Sequence, residues 1–323
     1  MNAWRLGHWG ATTQNITQTG DVLVLRKVHR VILLFLGLIM TALADLAERS
    51  AQMVMAGRTH GQQHAVPVTF GLKVASWIDE LGRQVSRLRE LEPRLFVAVV
   101  GGAAGTFASM GARASEVQNG VAKRLGLVPA CRSPRAVWLT ILPNSPARSD
   151  CWVRRAAKSA EEIYILMKTE YGEVEEPVPA GTVGSSTMPQ KRNPNLPGHP
   201  RYRSGNSRAL APLARGCAKR TRGRPFARHG FLKRSDEARS SSRTPRAHPS
   251  GAAGLRLNPQ RIRSNLDLSG GTISAEAIML ELRKAIGRQH AHDVVYEAAQ
   301  AARSENVSFP DRLAADPRVS TNV

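Results

Sequence analysis

Residues 21 to 54 carry one continuous helical pattern, and inside it Val31 to Ala44 runs for fourteen uncharged, mostly apolar residues. Apolar surface of that extent has to be removed from water. A membrane span needs about twenty such residues, so the run reads as a helix buried on several sides within a bundle, with no membrane involved. Further on, Val74, Trp77, Ile78, Leu81, Val85, Leu88 and Leu91 recur every three or four residues. They trace one face of a second helix, expected to end at Pro93. Glu162 to Tyr171 reads as another helix. No alternating strand pattern and no internal repeat stands out, and 42% hydrophobic residues with only 5% aromatic suit an aliphatic helical core. The expected fold class is all-α, a bundle of long helices.

The charge is unusual for such a protein. The chain of 323 residues has a formal net charge of +21, which taken alone points to nucleic acid or an anionic surface. Its distribution argues otherwise. Cys131 to Lys158 holds six Lys/Arg against one acid, and Pro197 to Ser250 fourteen against two, so these stretches supply +17 of the +21. Cys131, Cys151 and Cys217, the only cysteines, fall in the same stretches. Neither sustains a helical period, and the second is rich in Arg, Ser, Pro and Gly, as in Arg220-Thr221-Arg222-Gly223-Arg224-Pro225. GC-rich codons read out of frame yield mainly such residues, so 131–158 and 197–250 are expected to be frame-shifted translation. The rival reading, an arginine-rich nucleic-acid arm, is disfavoured because such charge runs are usually mere solvated tails. No signal peptide and no paired-cysteine framework is visible, which makes the cytoplasm the default.

Three short runs carry chemistry. The most informative is Gly184-Ser185-Ser186-Thr187-Met188-Pro189-Gln190-Lys191-Arg192-Asn193-Pro194. Paired hydroxyls, a rigid proline, a cation and an amide fit an anion-handling catalytic loop better than a surface turn. Eliminating a group beta to a carboxylate means removing a weakly acidic C–H proton, which needs a base beside a site that stabilises the charged intermediate. Gly184 and the serines allow backbone N–H groups to converge, and Lys191 supplies a fixed positive charge. The second run, Gly57-Arg58-Thr59-His60-Gly61-Gln62, interrupts the apolar helical pattern and offers an imidazole suited to proton transfer near neutrality. His60 and His64 are spaced like zinc ligands, but no cysteine or carboxylate lies suitably near, and no metal is expected. The third is His8-Trp9-Gly10-Ala11-Thr12-Thr13-Gln14-Asn15, by itself an ordinary polar cap before a helix. Gly101-Gly102-Ala103-Ala104-Gly105 lacks the Lys-Ser/Thr of a phosphate loop and fits close helix crossings better.

In chain order, from His8 to Pro194, the three runs resemble the three conserved regions of the fumarase/aspartase superfamily, whose signature Gly-Ser-Ser-x-Met-Pro-x-Lys-x-Asn-Pro is filled at every fixed position. The resemblance covers residues 7–130, 159–195 and 251–323. Leu266-Asp267-Leu268-Ser269-Gly270-Gly271, Ser274-Ala275-Glu276-Ala277 and Ile286-Gly287-Arg288-Gln289-His290-Ala291-His292 are similar to the branch of 3-carboxy-cis,cis-muconate cycloisomerase and adenylosuccinate lyase. The resemblance implies Ser185 as the base on a mobile loop and His60 as the acid. It also implies substrate contacts from His8, Thr12, Thr13, Thr59, Gln62, Ser186, Met188, Lys191 and Asn193. No cofactor is implied. A homotetramer acting on a polycarboxylate is implied, with each site built from three chains, a central lyase domain over 1–250 and a small C-terminal helical domain over 251–323. Three departures accompany it. Gln62-Gln63-His64 is one residue longer than the family spacing before Pro67, Asn15 stands where aspartate is common, and most of the usual N-terminal domain is missing. Thr187 and Gln190 favour the cycloisomerase, His60 favours the adenylosuccinate lyase, and an inactive remnant of either is the further alternative.

Overall fold

The computed structural model describes residues 9–59, 62–130, 158–177, 187–188 and 254–321. Helix α1 (Thr13–Arg49) leads into a hairpin of β1 (Val54–Arg58) and β2 (His64–Thr69), and helix α2 (Phe70–Leu95) follows. The chain divides into two compact units whose boundaries fall inside these helices, one holding the chain up to Ala42 and Ile78–Glu161, the other Leu43–Trp77 and the described residues from Glu162 onward.

Helix α1 starts well before residue 21 because Thr12 and Asn15 cap it reciprocally. The Asn15 N–H donates to Thr12 Oγ1 at 3.3 Å, and the Thr12 N–H donates to Asn15 Oδ1 at 3.3 Å. It stops at Arg49 rather than 54, since the chain turns there and enters β1. Of its buried positions, Asn15, Val22, His29, Leu36 and Leu43 are seven residues apart, with Gln18, Thr19, Ala42 and Leu46 buried beside them. Those of α2, from Phe70 through Val74, Trp77, Leu81, Gln84, Leu88 and Leu91 to Leu95, alternate steps of four and three. That 3.5-residue period is the seam of helices that pack nearly parallel or antiparallel. In the first unit the two run antiparallel: His29 Nε2 meets Glu92 Oε1 at 3.0 Å, and the His29 ring stands edge-on to Phe96.

Pro93 does not end α2. It withholds one N–H from the ladder, and the Phe96 N–H donating to Glu92 O at 2.9 Å closes the last turn after Leu95. Beyond α2, Val22, Leu91, Leu95, Val97, Ala98, Val99, Ala122, Leu127 and Ala130 form one apolar cluster. It joins α1 and α2 to the short parallel pair β3 (Val97–Ala98) and β4 (Val128–Pro129) and to α3 (Ala114–Leu125).

The side of α1 away from this core is not covered. Val24, Val28, Val31, Phe35 and Leu38 are 41–50% exposed, again in alternating steps of four and three. Among the described residues of the single chain, one stripe of α1 is buried and a second apolar stripe stays about half exposed. By length and composition α1 could cross a membrane, with a mean hydropathy of 2.1 over its best window.

Described residues 158–166 are helical (α4), passing from the first unit into the second after Glu161, and the chain then turns at residues 167–171 instead of continuing as helix to Tyr171. The antiparallel pair β5 (Val174–Glu175) and β6 (Arg256–Leu257) joins this region to α5 (Pro259–Asp267). Asn258 caps α5 by accepting from the Arg261 N–H at 3.2 Å. Leu282, Ala291, Val294, Val295, Ala298, Ala302, Phe309 and Leu313 then pack α6 (Ala275–Ile286), α7 (Arg288–Glu305) and α8 (Phe309–Ala314) into a small helical core. The hairpin is the element absent from the sequence reading. In β1 burial does not alternate, since Met55 and Ala56 are consecutive and both buried, and in β2 the alternation is only between half-buried and exposed positions, so the period-2 signal is weak.

Candidate active site

The first motif is organised around Asn15, which is 7% exposed. Besides accepting from Thr12, its Oδ1 accepts from the Gly102 N–H at 3.1 Å and the Gly101 N–H at 3.4 Å. The 101–107 loop is thereby held against the start of α1. The Phe107 N–H closes it onto Gly101 O at 2.9 Å, and Gly102 adopts φ +78 close to the Gly10 carbonyl. Thr12 is half-buried with its hydroxyl engaged in the cap, and Thr13 is exposed.

The second motif lies at the tip of the hairpin. The Thr59 N–H donates to Gln63 O at 2.9 Å, and Thr59 O accepts from the Gln62 N–H at 2.9 Å. Gln62 sits at φ 63. From Ala56↔Pro67 to Arg58↔His64 the first strand advances two residues and the second three. That register shift places one residue more on β2 than on β1. Gly57 permits it, because a Cβ there would come within 2.7 Å of the Val66 carbonyl. The pKa of His64 is lowered, first by burial and then by the Arg58 guanidinium, with Glu173 opposing. Its imidazole is held toward the neutral form.

Below the tip lies a buried polar group that the sequence reading did not single out. Arg58 donates to both oxygens of Glu173, at 2.7 and 3.3 Å, and Asn265 Nδ2 donates to Glu173 Oε1 at 2.8 Å. Arg58 stands inside the quoted Gly57–Gln62 run, but its partners lie 115 residues away and beyond, where no local pattern points.

Of the signature run, Thr187 and Met188 are described, with Met188 43% exposed. His8, His60, Ser185, Ser186, Lys191 and Asn193 lie outside the described residues. Among the described residues no cluster of three or more His, Cys, Asp or Glu side chains is arranged to hold a metal.

Comparison with known proteins places these motifs in a family. The profile of the family described as Lyase matches residues 5–197, and that of the adenylosuccinate lyase C-terminus matches 271–323. The chain belongs to the fumarase/aspartase superfamily. Within this superfamily it is similar to the N-acetyl-S-(2-succino)cysteine lyase of Dickeya dadantii, at 33% identity over 98% of this chain and 70% of that protein. It is 35% identical to the adenylosuccinate lyase of Pyrococcus horikoshii, over 93% of this chain and 67% of that one. A crystal structure of the 3-carboxy-cis,cis-muconate lactonizing enzyme from Pseudomonas putida superposes with a TM-score of 0.80 at 33% identity, covering 98% of this chain and 70% of that one. Membership is thus in an enzyme family of lyases and cycloisomerases, in the branch the C-terminal motifs indicated, and the helical bundle is that family's fold.

Proposed function

We propose that this lyase-superfamily chain acts on a polycarboxylate, with Ser185 taking a proton from carbon and His60 exchanging a proton with the group whose bond breaks or forms. The observation that carries the reading is the signature from Gly184 to Pro194, complete at every fixed position and preceded in order by Thr59-His60 and Thr12-Thr13. Lys191 and Asn193 hold the substrate carboxylate as charge builds on it, where a fixed cation and amide act most strongly in a water-poor site. His8, Thr12, Thr13, Thr59, Gln62, Ser186 and Met188 complete the substrate contacts. No organic cofactor or metal is invoked.

The leading reaction is cycloisomerisation of the 3-carboxy-cis,cis-muconate type, in which a substrate carboxylate oxygen adds to one carbon of a carbon–carbon double bond and a proton to the other; the Ser185 hydroxyl gives up that proton in the ring-closing direction, and its alkoxide takes it from carbon in the ring-opening direction. The second reading, elimination from a succinyl adduct, is favoured by the match of residues 271–323 to the adenylosuccinate lyase C-terminus. In that case the C–H proton goes to Ser185, the C–N or C–S bond breaks, and the departing heteroatom is protonated by His60, leaving fumarate.

The working form is a cytoplasmic homotetramer. Support comes from α1, whose outward stripe of Val24, Val28, Val31, Phe35 and Leu38 has coiled-coil spacing and needs a helical partner. Residues 1–250 are assigned to the central lyase domain and 251–323 to the small C-terminal domain.

The test is to incubate the purified chain separately with 3-carboxymuconate, adenylosuccinate and an N-acetylated succinyl-cysteine, following loss of muconate or appearance of fumarate. Turnover of one of them that disappears in Ser185→Ala while the oligomer persists is the expected result. Turnover surviving in Ser185→Ala would sink the base assignment. An aggregated chain inactive on all three would favour the inactive remnant.

A further inference from the structure

We propose that Arg58 and Glu173 form a positioning clamp, which fixes the strand leading into Thr59-His60 against the segment leading toward the signature loop. What the clamp positions rests on the serine–histidine reading above; the clamp itself rests on geometry.

The pair is bidentate, with Arg58 Nη2 to Glu173 Oε1 at 2.7 Å and Nη1 to Oε2 at 3.3 Å. The two side chains are 5% and 0% exposed. The guanidinium carbon lies 4.5 Å from the centroid of the Tyr171 ring, so one face of the cation is covered as well. Asn265 on α5 donates to Glu173 Oε1 at 2.8 Å and to Tyr171 O at 2.9 Å. Glu173 is also held through its backbone, its N–H donating to Leu166 O at 3.0 Å and its carbonyl accepting from the Asn258 N–H at 2.9 Å. Three distant segments of the second unit therefore converge on one carboxylate.

Such a pair is a poor device for stability alone. Taking two charges out of water costs about what their attraction returns, and apolar replacements of similar size often serve as well. Among the described residues the buried Arg58 Nε–H has in addition no hydrogen-bond partner, a cost that a purely structural residue would be expected to avoid. What the fork supplies is fixed distance and orientation. Arg58 is the first paired residue after the register shift in the hairpin, and Thr59-His60 follow it directly. Glu173 directly precedes β5, and Gly184 of the signature lies eleven residues on. A hairpin tip carrying one extra residue has two soft ends unless its base is anchored, and Arg58 is that anchor. Misplacement of catalytic groups by about 1 Å can cost about 100-fold in rate.

The experiment compares Glu173→Gln, Arg58→Lys and the apolar double Arg58→Met/Glu173→Met with the full-length chain. It reads kcat and KM on whichever substrate the chain turns over, melting temperature, and hydrogen exchange of the peptide covering residues 59–64. Arg58→Lys keeps the charge and loses only the fork, so it guards against a double variant that fails to fold. The expected result is a kcat lowered about 10- to 100-fold with KM little changed, faster exchange at 59–64, and a melting temperature in the apolar double close to that of the parent. A double variant, or an Arg58→Lys variant, with parental kcat and parental exchange would overturn the clamp. If the parent turns over nothing, that failure falls on the serine–histidine reading, and exchange at 59–64 alone decides the clamp.

Discussion

Asn15 shows how one side chain can serve two ends of a fold. Its Oδ1 receives N–H groups from Thr12, Gly101 and Gly102, so both the cap of α1 and the glycine loop depend on it. The sequence marked this position only as a departure from the more common aspartate. In the structure the departure is mild, because among the described residues the hydrogen bonds of this side chain are ones in which its oxygen accepts. Asn15→Asp should therefore fold with equal or higher melting temperature, since an ionised acceptor near a helix N-terminus strengthens the same bonds. Asn15→Leu should strand buried donors at about 1–3 kcal/mol each and lower the melting temperature by several degrees. Thermal denaturation of both variants decides it: a leucine variant as stable as the parent would remove Asn15 from this role. Arg58 teaches the complementary lesson. Its place in a recognisable run was legible, but its function depends on Glu173 and Asn265, which no spacing rule connects to it.

At the scale of elements, the periodicity of α2 was readable from the chain because its core face repeats in steps of three and four and the same residues are buried. The ends were harder. Thr12 and Asn15 start α1 earlier than apolar residues alone suggest, and α2 passes through Pro93 because a proline so near the helix end forfeits little of the ladder. The hairpin escaped notice because β1 buries two consecutive residues and β2 alternates only between half-buried and exposed positions. Helix α1 carries the testable consequence at this scale. Its outward stripe at Val31, Phe35 and Leu38 has the spacing of a second helix seam. Leu38→Arg together with Val31→Ser should shift the chain to a smaller species in size-exclusion chromatography with light scattering, while helical content stays near that of the parent. An unchanged assembly state would mean that the stripe is not the contact.

At the scale of the molecule, the charge and the family membership pull in different directions. The strongly basic stretches 131–158 and 197–250 supply most of the net charge, and of them only Lys158 is among the described residues, where its ammonium meets Glu80 Oε1 at 2.6 Å. If these stretches are frame-shifted translation, resequencing the gene should restore a frame with regular apolar periodicity across both. An uninterrupted frame that encodes the same residues would end that explanation.

The sequence by itself determined the family, the helical class and the chemistry-bearing runs, because signature residues and helical periods are local properties of the chain. Tertiary structure alone decided that α1 leaves an apolar stripe about half exposed, that β2 carries one residue more than β1 opposite Gly57, and that Asn15 and Glu173 act as hubs. Burial, register and the pairing of distant charges are set by which segments meet in space, and that information is not stored at any one place along the chain.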